Sequence, residues 1–527
     1  MADLDPSAGQ SKSGAIVLQG GARLIGVALQ FFFIPACIGW MGKDGYDAYL
    51  FGVSAAAFIG FADVGIMVAT QRHLGEAMAT GDLVRVATLY RFAKRVYTCL
   101  AVVALALFVL FSWLFEHYWR TRENDPNGHL LVYCGVQAAT LVLMNPATTL
   151  AYCLGRFRQV AGIFVLQGAL TPAVGFVVVS IYRTPHSLAI TTMAVSCLIA
   201  VLAYWICGSR ALPKPGKLSR SELRGILQLG ARAYPSTLTT IVGNNADRIM
   251  VQRAGIEGSL TSYGVASRVP EQIYQLLAPI GNTVYPELTR LSSTDEVAFT
   301  RAIERNVRFT LMLATCLVMV PCAFTDCILR TWLRQHFNLS FGAVLVMPMM
   351  GLYRALELVY SVISAAFFAK GVPQYVLPFS IFNASATLLL TVPAYRWHGI
   401  AGVGLMNAAI DLAQLVPIVL VMRRYATPQV SLRELASSFA LILGLSGLIT
   451  TGLYFGVNRP LATWHPIIGF FLAPLCGLGT IFLMTRLHLC SVPERVEARA
   501  RHFHLGRFQF GAWLLGLPKV TSPSPSA

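Results

Sequence analysis

Apolar runs long enough to cross a bilayer recur along the chain, at roughly 15–38, 49–71, 97–115, 130–153, 160–182, 188–207, 230–251, 259–284, 307–325, 341–367, 374–394, 399–422, 435–456 and 465–485. A membrane helix needs about 20 mostly apolar residues, so the pattern predicts an all-α polytopic membrane protein with about fourteen transmembrane helices. Short polar segments separate the runs, and three stand apart. Residues 208–228 are rich in Pro, Lys and Arg, residues 290–306 are charged and helix-forming, and the segment after Arg486 is basic and aromatic before it turns Pro/Ser-rich. The polar N-terminus, with Asp3 and Asp5 and no small-residue cleavage site after it, predicts no cleaved signal peptide.

Composition agrees with the pattern. Of 527 residues 55% are hydrophobic and 12% charged, with mean hydropathy +0.61, whereas about a quarter of an ordinary soluble protein is charged. The net charge of +17 is excess Lys and Arg in loops rather than a nucleic-acid surface, because alternating the spans places about three times as many basic residues on one face as on the other. That asymmetry predicts both termini in the cytoplasm, and the expected location is the inner (cytoplasmic) membrane. The eleven cysteines show neither CxxC nor Cys/His ligand spacing, so no disulfide framework or zinc site is expected.

A weak internal repeat divides the chain. Gly21-Ala22-Arg23 and Gly230-Ala231-Arg232 open the first and seventh runs, Tyr49/Gly52 and Tyr263/Gly264 follow, and then Gly81-Asp82 and Thr294-Asp295. The expected organisation is a cytoplasmic N-terminus (1–14), a six-helix half (15–207), a basic cytoplasmic linker (208–229), a second six-helix half (230–425), helices 13 and 14 (426–485) and a basic cytoplasmic tail (486–527). Transporters built from such parallel repeats bind substrate between the halves.

Ionisable side chains at mid-membrane are costly unless they face a polar cavity. In the eighth run Arg268, Gln272, Gln275, Pro279 and Asn282 follow one another at steps of three and four, one face of a helix. The tenth run places Tyr353, Glu357 and Tyr360 on a stripe, with Arg354 three residues before Glu357, within reach of a salt bridge. Asn407, Asp411 and Gln414 share a face of the twelfth. Arg23 opens a polar face in the first, Asp63 lies in the second, and Asn244 and Arg248 share a face of the seventh. Plainer readings stand beside these: Arg248 snorkelling to headgroups, Arg354 and Glu357 locking two helices, and the Gln and Asn stripes bonding helix to helix. Arg268, on a face that stays polar for over three turns, fits a cavity best. Asp247, Glu271, Glu357, Asp63 and Asp411 offset the arginines, so the interior is not net positive.

The segment YDAYLFGVSAAAFIGFADVGIMVATQRHLGEAMATGD, with NNADRIMVQRAGIEGSLTSYGVASRV and VYPELTRLSS in the second half, resembles the polysaccharide-transport family of lipid-linked oligosaccharide flippases, of Wzx type, within the multidrug/oligosaccharidyl-lipid/polysaccharide (MOP) exporter superfamily. The resemblance spans roughly residues 15–425. It implies a MATE-like fold of two six-helix halves, here with two further helices. It implies a polyprenyl-diphosphate-linked oligosaccharide as substrate, membrane lipids around it, and polysaccharide polymerase and export proteins as partners. A multidrug/cation antiporter or a peptidoglycan lipid-precursor flippase of the same superfamily is the alternative, and a membrane glycan polymerase or ligase is the rival from another class. Arg268 and Arg354 favour an anionic substrate, and no outer loop has room for an enzyme site. On this reading Arg268, Arg354, Arg248, Arg23, Gln272, Gln275, Glu357 and Tyr353 contact substrate, while Asp63 and Asp411 take up a coupling ion. No Walker, GxSxG or metal pattern occurs, so no cofactor is expected.

Overall fold

The computed structural model describes residues 12–487 apart from 63–65, 80, 120–126, 155, 208–211, 255–258, 278–283, 285–287, 289–290, 293–294, 334–340, 371 and 426–430. The elements are helices: α1 (Lys12–Ala56), α2 (Ile66–Ala79), α3 (Leu83–Leu114), α4 (Gly128–Cys153), α5 (Phe157–Tyr182), α6 (Pro185–Cys207), α7 (Arg220–Ala254), α8 (Ser259–Leu277), α9 (Glu296–Ala314), α10 (Thr325–Leu333), α11 (Phe341–Ala369), α12 (Leu377–Tyr425), α13 (Leu432–Leu453), α14 (Arg459–Trp464) and α15 (Pro466–Arg486). A 3₁₀ turn, Ala57–Ala62, follows α1. Among the described residues nine helical stretches are long and apolar enough to cross a membrane.

Two long helices are broken within themselves. At 1.5 Å per residue α12 would be about 74 Å long, more than twice a hydrocarbon core. It breaks at His398 and at Gly399, whose φ is 60°, so one helix carries two of the expected runs. α1 breaks likewise at Gly42, φ 74°. Positive φ costs glycine nothing, which is why both breaks sit on glycine.

The two aspartates of the repeat do the same local work. Asp82 Oδ1 accepts the Arg85 backbone N–H at 2.9 Å and starts α3. Asp295 Oδ1 accepts that of Ala298 at 2.9 Å and starts α9. Both satisfy donors that a helix start leaves open. In the predicted linker the helix begins earlier than expected, at Arg220 rather than at 230. Ser219 and Glu222 make a capping box, with Ser219 Oγ accepting the Glu222 N–H and Glu222 Oε2 accepting the Ser219 N–H, both at 3.1 Å. Gly216 N–H donates to Thr88 Oγ1 at 2.8 Å, and Glu222 pairs with Arg85 at 2.9 Å, so this segment is fastened to α3.

The helices gather into two compact units. The first is Met1–Gly264 with Leu377–Ile400. In it α1 crosses α5 where Gly26 meets Gly168: a Cβ on Gly26 would lie 3.4 Å from the Gly168 Cα, close approach of the kind small residues permit in membranes. The N-terminal turn of α8 is tied to α1, with the Thr261 N–H bonded to the Asp47 carboxylate and Thr261 Oγ1 to the Lys43 carbonyl at 3.1 Å. Ser259 Oγ and the Tyr395 hydroxyl are 2.9 Å apart.

The second unit is Val265–Val376 with Ala401–Ala527. Here α15 lies against the stretch from α9 to α10 by way of glycines, Gly469 beside Cys327 and Gly477 beside Pro321 and the Cys316 carbonyl. Asn458, just before α14, locks the packing: its Nδ2 donates to Asp326 Oδ2 at 2.8 Å and its Oδ1 accepts the Cys327 N–H at 3.2 Å. At the basic end of the unit, Glu304 Oε1 accepts the Ser431 N–H at 3.0 Å, Lys370 pairs with Glu296 at 3.0 Å and Arg308 with Glu434 at 3.2 Å.

Candidate functional site

Polar side chains of α8, α11 and α12 come together inside the second unit. Arg354, only 6% exposed, pairs with Glu357 one turn along α11. Its guanidinium lies over two aromatic rings, 4.9 Å from the centroid of Tyr353 and 5.5 Å from that of Tyr274. Tyr274 belongs to α8, and its hydroxyl hydrogen-bonds Glu357, so one carboxylate receives both the guanidinium and the phenol. Burial this deep is tolerated because charge, cation–π contact and hydrogen bonding offset the loss of water.

Arg268, further back on α8, is 3.6 Å from Glu271. Arg354 and Arg268 are therefore each engaged with an acid three positions along their own helix. Gln272 is half-buried and Gln275 exposed on the same helix. The Tyr360 hydroxyl donates to the Asp411 backbone carbonyl at 2.6 Å and joins α11 to α12. Asp411 is 2% exposed, with Asn407 and Gln414 buried on the same face of α12 and the Gln414 Nε2 without a hydrogen-bond partner among the described residues. A free amide donor at such depth is costly.

Other expected residues fall elsewhere. Arg248 lies in the first unit, beside an Asp247 whose carboxylate accepts the Arg248 N–H at 2.7 Å and the Tyr263 hydroxyl at 2.5 Å. Asp63 lies outside the described residues, as do Pro279, Asn282 and the side chain of Arg23. Tyr274 was not among the expected residues. It lies off the Arg268–Gln272–Gln275 stripe and, as an aromatic in an apolar run, carried no signal of its own. Asp47 carried no signal for a related reason: its partner Thr261 is 214 residues away.

Among the described residues ten cysteines are free, and no group of three His, Cys, Asp or Glu side chains is placed to hold a metal ion.

The arrangement holds two kinds of group: guanidinium forks, whose geometry suits phosphate oxygens, and tyrosine rings, whose faces suit a polar organic group. Solved structures share the fold. The lipid II flippase MurJ in an inward closed conformation aligns over 90% of this chain and 99% of its own, with TM-score 0.65 and 14% identity. An inward-facing multidrug resistance MATE family transporter of the MOP superfamily aligns over 77% of this chain and 100% of its own, with TM-score 0.60 and 15% identity. A MOP superfamily transporter from Pyrococcus furiosus aligns over 78% of this chain and 96% of its own, with TM-score 0.56 and 16% identity. At such identities the likeness establishes the fold, an all-α multi-pass membrane architecture. Among proteins of curated function none matches. The family described as "Polysaccharide biosynthesis protein" matches residues 61–341. With more than half of its length matched, the chain belongs to the polysaccharide biosynthesis protein family.

Proposed function

We propose that the protein is a flippase that moves polyprenyl-diphosphate-linked oligosaccharide repeat units from the cytoplasmic to the outer leaflet for surface polysaccharide synthesis. The observation that carries this reading is the pairing of Arg354 and Arg268 with Glu357 and Glu271 in a chain of a polysaccharide biosynthesis family. A guanidinium already oriented by a carboxylate and backed by two tyrosine rings is preorganised for a diphosphate, which offers the same bidentate geometry with more charge. Each carboxylate holds its arginine until the diphosphate takes its place. Tyr353 and Tyr274 then face the first sugar, and Gln272, Gln275 and the free amide of Gln414 supply neutral hydrogen bonds. Arg248 and Arg23 serve substrate along the path.

Movement is ion-coupled, with Asp411 and Asp63 as coupling carboxylates, since the sequence holds no nucleotide motif. The excess of Lys and Arg on one set of loops supports cytoplasmic termini and a basic cytoplasmic linker, and membership of a polysaccharide biosynthesis family supports placement in the inner membrane. Polymerase and export proteins act on the units once they have crossed.

Arg268→Ala and Arg354→Ala, made singly and together, test the site. Glycan export falls at least tenfold while protein remains in the membrane. Full export by the double variant would remove these residues from the substrate path. A multidrug/cation antiporter, the reading suggested by the MATE neighbour, is favoured instead if export survives and efflux of organic cations depends on Glu357.

A further inference from the structure

The outward surface of α3 changes character abruptly. Arg91, Lys94 and Arg95 are exposed near its start, and beyond Thr98 the exposed residues, among them Val102, Val103, Leu107, Leu110 and Trp113, are apolar. From Arg95 to Trp113 the helix rises roughly 27 Å, close to the hydrocarbon thickness of about 30 Å. The cations therefore stand at the headgroup level of one leaflet and Trp113 at that of the other, where indoles concentrate.

α6 completes the surface. Lys94 Nζ lies 5.0 Å from the ring centroid of Tyr204. That ring is fixed, because its hydroxyl donates to the Leu143 carbonyl of α4 at 2.6 Å. Trp205, beside it, is exposed at the same level, and Leu198 and Val201 are exposed deeper along α6. Arg85, also on α3, has a carboxylate partner in Glu222. Arg91, Lys94 and Arg95 have none among the described residues. Three uncompensated cations within five positions repel one another, and an anion at the membrane surface relieves that repulsion.

We propose that α3 and α6 form a binding site for an anionic phospholipid of the bilayer. Its phosphate sits on Lys94, flanked by Arg91 and Arg95. Tyr204 and Trp205 lie at the level of its glycerol, and its acyl chains run along the exposed apolar residues of the two helices. The site is independent of the substrate network and does not rest on the transport reading.

The test uses the purified full chain and measures lipid binding by native mass spectrometry, with phosphatidylglycerol as probe and phosphatidylcholine, glycerol phosphate and polyprenyl phosphate as comparisons. Phosphatidylglycerol binds more tightly than phosphatidylcholine. Lys94→Gln weakens it about fivefold, and the triple Arg91→Gln/Lys94→Gln/Arg95→Gln about a hundredfold, at about one factor of five per basic residue. Lys94→Arg retains binding. Should the triple variant fold poorly, Lys94→Gln and the exposed Trp205→Ala still report, each lowering the preference for phosphatidylglycerol. Equal binding of the two phospholipids, unchanged affinity in Lys94→Gln, glycerol phosphate binding as tightly as the lipid, or binding of polyprenyl phosphate alone would each overturn the proposal.

Discussion

Replacing Arg354 by Met leaves Glu357 with the Tyr274 hydroxyl as its remaining partner in the network and no cation on the same turn. Breaking one side of a buried pair costs about 3–5 kcal/mol, whereas replacing both members by apolar residues of similar volume is close to neutral. The Arg354 side chain is 8% exposed and that of Glu357 22%, and the Tyr274 bond persists, so the lower end applies, about 3 kcal/mol. That is a factor of more than 100 in the folded-to-unfolded ratio. Arg354→Met/Glu357→Leu should recover most of it, giving a coupling energy of at least about 2 kcal/mol in a double-mutant cycle. The assay is denaturant or thermal unfolding of the detergent-purified protein, read by tryptophan fluorescence, on all four members of the cycle. Equal destabilisation of the single and double variants, or none in the single, would refute the reasoning, since the pair would then be neither buried nor coupled as the geometry requires.

At the α1–α5 crossing, Gly26→Leu drives a side chain into the Gly168 backbone and should cost about 1–3 kcal/mol, read as a lower yield of folded protein on size-exclusion chromatography, while Gly444→Leu, where nothing lies within 4 Å of an added Cβ, should leave the yield unchanged. The Glu222 carboxyl is held below its ordinary value chiefly by the Ser219 N–H, with the Ser219 hydroxyl and Arg85 adding to it against the opposing effect of burial. Its contribution is thus fully present above the unfolded carboxylate value and is lost as pH falls through the lower folded one; Glu222→Gln should show a shallower loss of thermal stability between about pH 5 and 3 than the native chain, and an identical slope would discount the contact. Asp411→Asn, a mimic of the protonated acid at the buried face of α12, should bind substrate but fail to turn over, measured as retained ligand-induced stabilisation with no translocation.

Local chemistry was readable from the chain, and long-range pairing was not. The Asp82 and Asp295 caps follow from an acid placed just before a helical run, and the Arg354–Glu357 pair from a spacing of three on one helix. The polar face of α12 is periodic and visible to a pattern. Tyr274 acquires its role only when α8 is laid against α11, and Asp47 only when Thr261 arrives from far along the sequence. The breaks at Gly42 and Gly399 hid in another way, since a single glycine at positive φ replaces the loop that polar residues would have announced. The early start of α7 at Arg220 was hidden by basic residues that read as linker, although the Ser219-x-x-Glu222 box was there to mark it.

The most direct measurement is translocation in proteoliposomes that contain the purified chain and a fluorescent polyprenyl-diphosphate oligosaccharide, scored by how much of the label in the far leaflet becomes accessible to a membrane-impermeant quencher. The account predicts transfer by the native chain above that of empty vesicles, and transfer at the level of empty vesicles for Arg268→Ala/Arg354→Ala. Transfer that is equal in native and double-variant vesicles, or absent from both while organic cations are extruded, would contradict it.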